Sequence, residues 1–469
     1  MTEPINIAVV GHANSGKTSL MRTLTRQRHF GEVSSRPATT RHVEAAELAI
    51  GNDAVMRLYD TPGLEDSSGL LVCLDRLRGN HGGDWTDAID ALIATPELQD
   101  AFGQEAKALA QLRRSDIVLY VIDARDAVRA RHRDELEVLA RCAVPVLPVL
   151  NFVSDPAART ATWRDQLARV NMHAVIVFDT VVYDETGEQA LYDKIAAMAE
   201  RFAPTIRKLT DDLALRRRQI RRASARIIAD LLIDAAAARR AYRIDDSDAE
   251  SDAAAELQAR VRAQEAQALK RLLSLHGFDP GDARLQALDI AHGQWEDDLF
   301  DPATLARYGV SMGTAAATGA VAGVAIDVMA GGTTLGGGAA IGATVGFLAD
   351  AARLHGGRLM ARMSGIGHVR VAESALTLLV LRQVQLVVAL AVRGHGAVRP
   401  MDMAVADDAK ALRDTARRIA RSAARARQFP AWSGLNGDAK SHSSARRDAM
   451  AEALATELEA AVKAVNEGG

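Results

Sequence analysis

One short loop near the start of the chain, Gly11-His12-Ala13-Asn14-Ser15-Gly16-Lys17-Thr18, constrains the possible folds more than any other part of the sequence. It follows the apolar run Ile5 to Val10 and precedes a segment of helical character, 18–25. A strand, a G-x-x-x-x-G-K-[ST] loop and a helix in this order are typical of a phosphate-binding P-loop. The glycines let backbone N–H groups turn towards phosphate oxygens, and the start of the helix adds a partial positive charge. The sequence therefore predicts a site for a nucleoside triphosphate with Mg²⁺.

The phosphate end of this site includes residues beyond the loop. In the loop itself, the predicted nucleotide contacts are Asn14, Ser15, Gly16, Lys17, Thr18 and Ser19. Lys17 is placed to reach the β- and γ-phosphates, and the Thr18 hydroxyl to bind Mg²⁺. The tetrapeptide Asp60-Thr61-Pro62-Gly63 closes a later strand and has the D-x-x-G pattern of a nucleotide-sensing switch. Asp60 would hold Mg²⁺ through water, and the Gly63 N–H would contact the γ-phosphate.

A threonine between these two motifs would complete the Mg²⁺ shell. Thr39 and Thr40 both lie there, and we prefer Thr40 as the Mg²⁺ ligand and contact to the γ-phosphate. The predicted catalytic residues are therefore Lys17, Thr40 and Gly63.

The sequence specifies the base-binding end of the site less completely than the phosphate-binding end. A guanine site usually carries Asn-Lys-x-Asp after the fifth strand, whereas this chain has Asn151-Phe152-Val153-Ser154-Asp155. The asparagine is present, phenylalanine replaces the lysine, and the aspartate comes one residue late. We predict nucleotide contacts from Asn151 and from Asp155 or Asp179. The choice between guanine and adenine stays open, and so does the alternative that Asn151 only caps the next turn.

The pattern of the first 203 residues predicts an α/β P-loop NTPase domain with a mostly parallel six-stranded sheet. Buried strands alternate with amphipathic helices after residue 117, which favours parallel strands covered on both faces. A hairpin is expected around residues 51–53. Segment 64–115 is long for a connection, and we interpret it as an enlarged switch II region with an insertion.

Composition limits the other classes of function. The net charge is −3, so no basic excess points to nucleic acid, and none is expected as a partner. Two cysteines cannot form a disulfide framework and are compatible with a reducing cytosol, and no signal peptide is recognised.

Residues 204–469 predict an all-α domain. Segment 204–243 is expected to be one long arginine-rich helix, whose arginines either form a solvated face or contact anionic lipid headgroups. Glycines spaced by four in 309–348 predict a glycine-zipper helical hairpin. It could insert into a membrane, pack as a soluble helix pair or mediate oligomerisation. Polar residues within the apolar stretch 376–392 favour a buried or membrane-surface helix over a clean span, and 405–428 is amphipathic and arginine-rich.

Taken together, Gly11–Thr18, Thr39-Thr40, Asp60–Gly63 and Asn151 resemble the Era/TrmE-like branch of P-loop GTPases, which implies a Ras-like domain that binds GTP and GDP. Leu64 fits this branch, which lacks the glutamine that orients water in Ras-type enzymes. The resemblance also implies that Asn14 binds K⁺ as a second cofactor beside Mg²⁺. The whole chain further resembles a bacterial group with a C-terminal domain of unknown function, on the text 102–107, 121–125 and 149–152.

The favoured function is a GTP-binding and GTP-hydrolysing switch, slow without an activator, whose helical domain associates with the bacterial inner membrane. Such a protein would be cytoplasmic, peripheral to or inserted in that membrane, with lipid, a homo-oligomer or a protein effector as partners. Two alternatives stay open, a soluble or membrane-remodelling scaffold whose assembly is controlled by nucleotide, and an ATP-binding switch.

Overall fold

The computed structural model describes most of the chain. The described residues are 3–25, 44–81, 83–180, 185–246, 248–278, 290–291, 294–310, 326–329, 365–392, 407–436 and 444–468. Thr39, Thr40 and most of the predicted hairpin 309–348 lie outside these ranges. The chain divides into two compact units at Arg217–Arg218. This point lies inside a long helix that begins at Ala203, beside the predicted boundary at 203–204.

The first unit is built on a six-stranded sheet. Its strands are β1 (Ile5–Val10), β2 (Glu44–Ile50), β3 (Asp53–Asp60), β4 (Ile117–Asp123), β5 (Val146–Asn151) and β6 (Ile176–Val177). The strand order is β2-β3-β1-β4-β5-β6, and only the β2–β3 hairpin is antiparallel. The predicted mostly parallel sheet is therefore confirmed.

Helices cover both faces of this sheet. They are α1 (Lys17–Thr25), α2 (Ser67–His81), α3 (Trp85–Ala94), α4 (Pro96–Ala101), α5 (Gly103–Arg113), α6 (Ala130–Arg141), α7 (Thr160–Arg169), α8 (Glu185–Met198) and the start of α9 (Ala203–Ala237). Two separate apolar clusters result, because alternate residues of each central strand face opposite sides. Ile7 and Val9 belong to one cluster, and Ala8 and Val10 to the other.

The long segment after Gly63 folds as four helices, α2 to α5. The sequence indicated helices near 86–94 and 101–113 and missed α2 and α4. Leu70 and Leu74 of α2 are fully buried with Ile89 and Leu92 of α3, so this insertion contributes to the core. Asp84 starts α3 with a capping box, since its carboxylate accepts hydrogen bonds from the N–H groups of Thr86 and Asp87.

The second unit is mostly helical, as predicted. It contains the rest of α9, then α10 (Ala249–Leu275), α11 (Pro302–Arg307), α12 (Glu373–Val392), α13 (Asp407–Ala424) and α14 (Ala445–Gly468). It also contains short strands, β7 (Arg239–Arg243), β8 (Ile290–Ala291), β9 (Gln294–Trp295), β10 (Ile326–Met329) and β11 (Ile366–Val371). Strands β10, β11 and β7 form an antiparallel sheet in that order, which helical periodicity did not indicate.

Two helix predictions are wrong at this small sheet. The helix expected to reach residue 243 ends at Ala237, because β7 pairs with β11 and buries Tyr242. The described piece of the predicted hairpin, Ile326–Met329, is a strand because its four residues pair in register with β11, with Ile326 opposite Val371. The hairpin's remaining residues beyond Val310 lie outside the described ranges.

Helix α12 forms the centre of the second core. Among the described residues, it alone is long and apolar enough to cross a membrane by length and composition, with a mean hydropathy of 1.8 over Glu373–Ala391. However, 83% of that window is buried inside the protein. Its polar residues Arg382 and Gln383 are fully buried as well. This burial is typical of a core helix and agrees with the buried-helix alternative.

Candidate nucleotide-binding site

Two close approaches leave no room for a side chain at either glycine of the P-loop motif. Gly11 and Gly16 have positive φ angles of 155° and 94°. A Cβ on Gly11 would lie 2.2 Å from the carbonyl oxygen of Val121 in β4, and one on Gly16 would lie 2.1 Å from Nδ2 of Asn151. Both positions therefore require glycine, because a side chain would collide with a neighbouring strand end.

Lys17 lies folded back inside the loop. Its Nζ donates hydrogen bonds to the carbonyl oxygens of Gly11 at 2.8 Å and His12 at 3.0 Å. Burial lowers the pKa of this ammonium, while the charges of Asp60 and Glu135 act in the opposite direction. The cation is thus placed within the curve where the P-loop motif predicts phosphate oxygens.

Two of the predicted Mg²⁺ ligands are in direct contact. The Thr18 hydroxyl donates a hydrogen bond of 2.9 Å to Oδ2 of Asp60, whose exposed fraction is 2%. Parallel pairing of β1 with β3 places Asp60 opposite Val9, immediately before the loop. A hydroxyl and a carboxylate oxygen are the hard ligands that Mg²⁺ prefers, so these residues fit the ion. Thr40, the third predicted ligand, lies outside the described residues.

Gly63 also lies against the P-loop. A Cβ built on it would be 3.3 Å from the carbonyl oxygen of Gly11, so the two predicted motifs meet. Leu64, which follows Gly63, is 2% exposed and belongs to the apolar cluster beside α2. Asn14, the predicted K⁺ ligand, is exposed in the loop at a φ of 63°.

Asn151 connects three parts of the site. Its Nδ2 donates to the carbonyl oxygen of Ser15 at 2.9 Å. Its Oδ1 accepts from the N–H groups of Phe152 and Thr180, both at 2.9 Å, and from the Thr180 hydroxyl at 3.1 Å. The side chain is fully buried, so these contacts position the P-loop relative to the loops after β5 and β6. A direct contact of Asn151 with the nucleotide stays a prediction.

Replacing Asn151 with alanine should lower the free energy of unfolding of the first unit by about 2–4 kcal/mol, since several buried polar groups lose their partners. Nucleotide affinity should fall with it, because the Ser15 peptide would no longer be held. Urea unfolding and titration with a fluorescent GTP analogue measure the two effects. Asn52→Ala in the exposed β2–β3 turn is the matched control and should change neither quantity.

The two aspartates predicted for base recognition lie in adjoining loops. Oδ2 of Asp179 accepts from the Ser154 N–H at 2.9 Å, and Oδ1 of Asp155 accepts from the Ala157 N–H at 2.9 Å. Asp179 therefore orders the β5–α7 loop, and Asp155 shapes the turn that follows it. Neither contact decides which carboxylate would meet a base.

Phe152, which replaces the lysine of the usual motif, lies beside the loop. Its backbone has a φ of 58°, and a Cβ on Gly16 would be 3.3 Å from Cζ of its ring. The guanidinium of Arg125 stacks over this ring at 4.1 Å and forms a two-pronged pair with Asp123. Arg125 was not among the residues predicted for the site.

A buried polar cluster under the P-loop was also missed. The Tyr120 hydroxyl donates to Oε2 of Glu135 at 2.5 Å, and the other carboxylate oxygen lies 3.7 Å from Nδ1 of His12. Burial raises the pKa of Glu135, and it lowers the pKa of His132 to about 4. One signal was available, because His132 and Glu135 share the buried face of α6 with Leu136 and Leu139.

Comparison with known proteins finds two matching families. Residues 164–456 match the family described as "Domain of unknown function (DUF3482)", and residues 6–152 match the family described as "50S ribosome-binding GTPase". GTPase Der of Campylobacter curvus is 26% identical over 195 residues, which cover 41% of this chain and 34% of that protein. The tRNA modification GTPase MnmE of Moorella thermoacetica is 28% identical over 128 residues, 27% of each chain.

Solved structures match a similar share of this chain. A crystal structure of Aquifex aeolicus Era bound to GDP.AlF4- is 19% identical, with a TM-score of 0.28, over 38% of this chain and 52% of that chain. Of the curated relatives Der and MnmE, this chain covers about a third or less of the full length.

Proposed function

The chain belongs to the DUF3482 family and begins with an Era/TrmE-type P-loop GTPase domain, and from this we propose that it is a GTP-hydrolysing switch whose helical unit associates with a membrane. The observation that carries the enzymatic part is the convergence of Lys17, Thr18, Asp60 and Gly63 at one edge of the sheet. The membrane part is supported by the uncharged sequence 310–326 and by the cationic helix surface discussed below.

The residues of the site act on the γ-phosphate by charge. Thr18, Asp60 and Thr40 would hold Mg²⁺, which when bound would supply positive charge next to the transferred phosphoryl group. Lys17 offsets further negative charge as the bond to the leaving phosphate breaks, and the Gly63 N–H binds a γ-phosphate oxygen. Leu64 is buried at the position after this glycine, so no side chain there orients the attacking water. Slow intrinsic turnover is the expected consequence.

The nucleotide end of the proposal is tested by phosphate release from purified full-length protein. GTP should be hydrolysed and unlabelled GTP should compete better than ATP for the site. Preference for ATP would replace the GTPase assignment by the ATP-binding alternative. Asp155→Ala and Asp179→Ala, measured separately, should identify the base contact. Only the variant that lacks the guanine contact should lose the preference for GTP over ATP.

Turnover should be at least about tenfold faster in KCl than in NaCl of equal ionic strength, because a bound K⁺ would supply charge to the transition state. Asn14→Ala should remove this difference while leaving the slower rate in NaCl. Asn52→Ala should keep the difference. Equal turnover of the wild type in both salts would rule out K⁺ as a cofactor.

A further inference from the structure

We propose that the exposed face of α13 is the surface through which the helical unit binds anionic phospholipid headgroups; this rests on the proposed membrane association. One side of the helix is buried in the core through Leu412, Ala416, Ile419, Ala420 and Ala423. The opposite side carries Lys410, Arg417, Arg418 and Arg421, and Arg425 follows in the turn directly after the helix; these five residues are called the α13 basic face. Asp414 is the single acidic residue along it between Lys410 and Arg425.

The cations of this face are available to a partner. Lys410, Arg418 and Arg425 are exposed and have no ion pair with any residue that the structure describes. Arg417 pairs with Asp414 at 3.1 Å, and Arg421 with Glu373 at 2.9 Å. These pairs are solvent-exposed, so a dense array of anions can compete with them.

Three arginines of α9, the helix considered first from the sequence, differ in this respect. Arg217 pairs with the buried Glu188 at 2.7 Å, and Arg226 with Asp448 at 2.9 Å. Arg222 forms a further pair with Glu459 at 3.1 Å. These three side chains join elements within their own units, which favours a structural role for them over lipid contact. The lipid hypothesis moves from α9 to the α13 basic face.

Helix α13 contacts the chain next to an uncharged sequence, which favours lipid headgroups over other anions as its ligand. Nη2 of Arg417 donates to the carbonyl oxygen of Gly309 at 3.4 Å, and a Cβ on Gly309 would be 3.2 Å from Cδ of Arg413. The sequence 310–326, which follows directly, has no charged residue.

An arginine also contacts the sheet at the far end of that sequence. Ile326 pairs with Val371, whose carbonyl oxygen accepts from Arg427 at 2.7 Å. Arg417 thus contacts the residue just before the uncharged sequence, and Arg427 contacts the strand residue that pairs with its last residue. Cations bordering apolar sequence are characteristic of proteins that contact headgroups. Helix α13 has no aromatic residue to stack on bases, so it lacks the usual feature of a single-stranded nucleic-acid surface.

Flotation of the full-length protein with liposomes tests this surface. Wild-type protein should float with phosphatidylglycerol vesicles and much less with phosphatidylcholine vesicles, and high salt should weaken the binding. The triple variant Lys410→Gln/Arg418→Gln/Arg425→Gln should bind phosphatidylglycerol vesicles about a hundredfold more weakly, from three lost headgroup attractions. Its thermal unfolding and GTP turnover in solution should match the wild type, since these side chains are exposed.

The matched control is Arg207→Gln/Lys208→Gln/Arg218→Gln, which removes one lysine and two arginines from exposed positions of α9. It should float like the wild type. Equal loss in both triple variants would mean that net charge alone governs binding, and this would overturn the α13 surface. Normal flotation of the α13 variant would also overturn it but leave the proposed membrane association standing. Absence of flotation by the wild type would reject both, without bearing on GTP hydrolysis.

Nucleic acid is the competing ligand class. Electrophoretic shift assays with a ribosomal RNA fragment measure it on the same three proteins. RNA binding that depends on Lys410, Arg418 and Arg425, together with no vesicle binding, would replace lipid by RNA as the ligand of the α13 basic face.

Discussion

Replacing Lys17 with alanine should reduce GTP turnover at least about a hundredfold, a loss similar to that of one preorganised transition-state donor. The Nζ of Lys17 lies within the loop, 2.8 Å from the Gly11 carbonyl oxygen, and burial removes much of the water that would otherwise screen its charge. Alanine leaves the γ-phosphate without this cation. Phosphate release under saturating GTP measures the effect.

The substitution also removes two hydrogen bonds inside the loop, so loss of turnover must be separated from loss of folding. Thermal unfolding of Lys17→Ala should stay close to that of the wild type, because Gly11 and Gly16 remain fixed by their contacts with Val121 and Asn151. Lys208→Ala on the exposed side of α9 makes the same chemical change away from the site and should keep full activity. Unchanged turnover in Lys17→Ala would mean that hydrolysis comes from elsewhere or from a contaminant.

The placement of the motifs at the phosphate end of the candidate site could be predicted because each motif is a short run of contiguous residues. A P-loop depends on glycines, a lysine and a hydroxyl at fixed spacing, and the structure places Thr18, Asp60 and Gly63 around it. The strands were equally clear, since residues 117–122 and 146–150 are continuous apolar runs.

Contacts between distant segments could not be predicted in this way. The hydrogen bonds of Asn151 join residues at Ser15 and Thr180, and no local pattern records such pairings. The small sheet is a second example, because β7 and β11 are separated by more than a hundred residues. The arginine and alanine content around β7 favours a helix locally, and tertiary pairing with β11 overrides it.

Arg382 shows the same limit in the second core. The sequence marked it as a polar interruption of an apolar helix, which predicted a buried or membrane-surface position. The structure adds partners that no spacing indicated. Its Nη2 donates to the Asp297 carbonyl oxygen at 2.8 Å, and its Nη1 lies 3.7 Å from Oε1 of Glu265 on α10. Both charged side chains are almost completely buried.

Arg382→Met should lower the free energy of unfolding of the second unit by about 3–5 kcal/mol at neutral pH, because it leaves Glu265 buried without its cation. The double variant Arg382→Met/Glu265→Gln should recover a large part of this loss, since it removes the isolated charge. Urea unfolding followed by circular dichroism measures both. A double variant as unstable as the single one would show that packing of the arginine, rather than the charge pair, accounts for the loss.

The pH dependence separates these two causes further. Burial raises the pKa of Glu265 to about 7, although Arg382 acts to lower it. The folded unit therefore binds a proton more tightly than the unfolded chain between pH 4.5 and about 7, and its stability should fall as the pH rises through this interval. Glu265→Gln should lack this contribution. The loss of free energy of unfolding in Arg382→Met should be smaller at pH 5, where Glu265 becomes neutral, than at neutral pH. A packing defect would cause the same loss at both pH values.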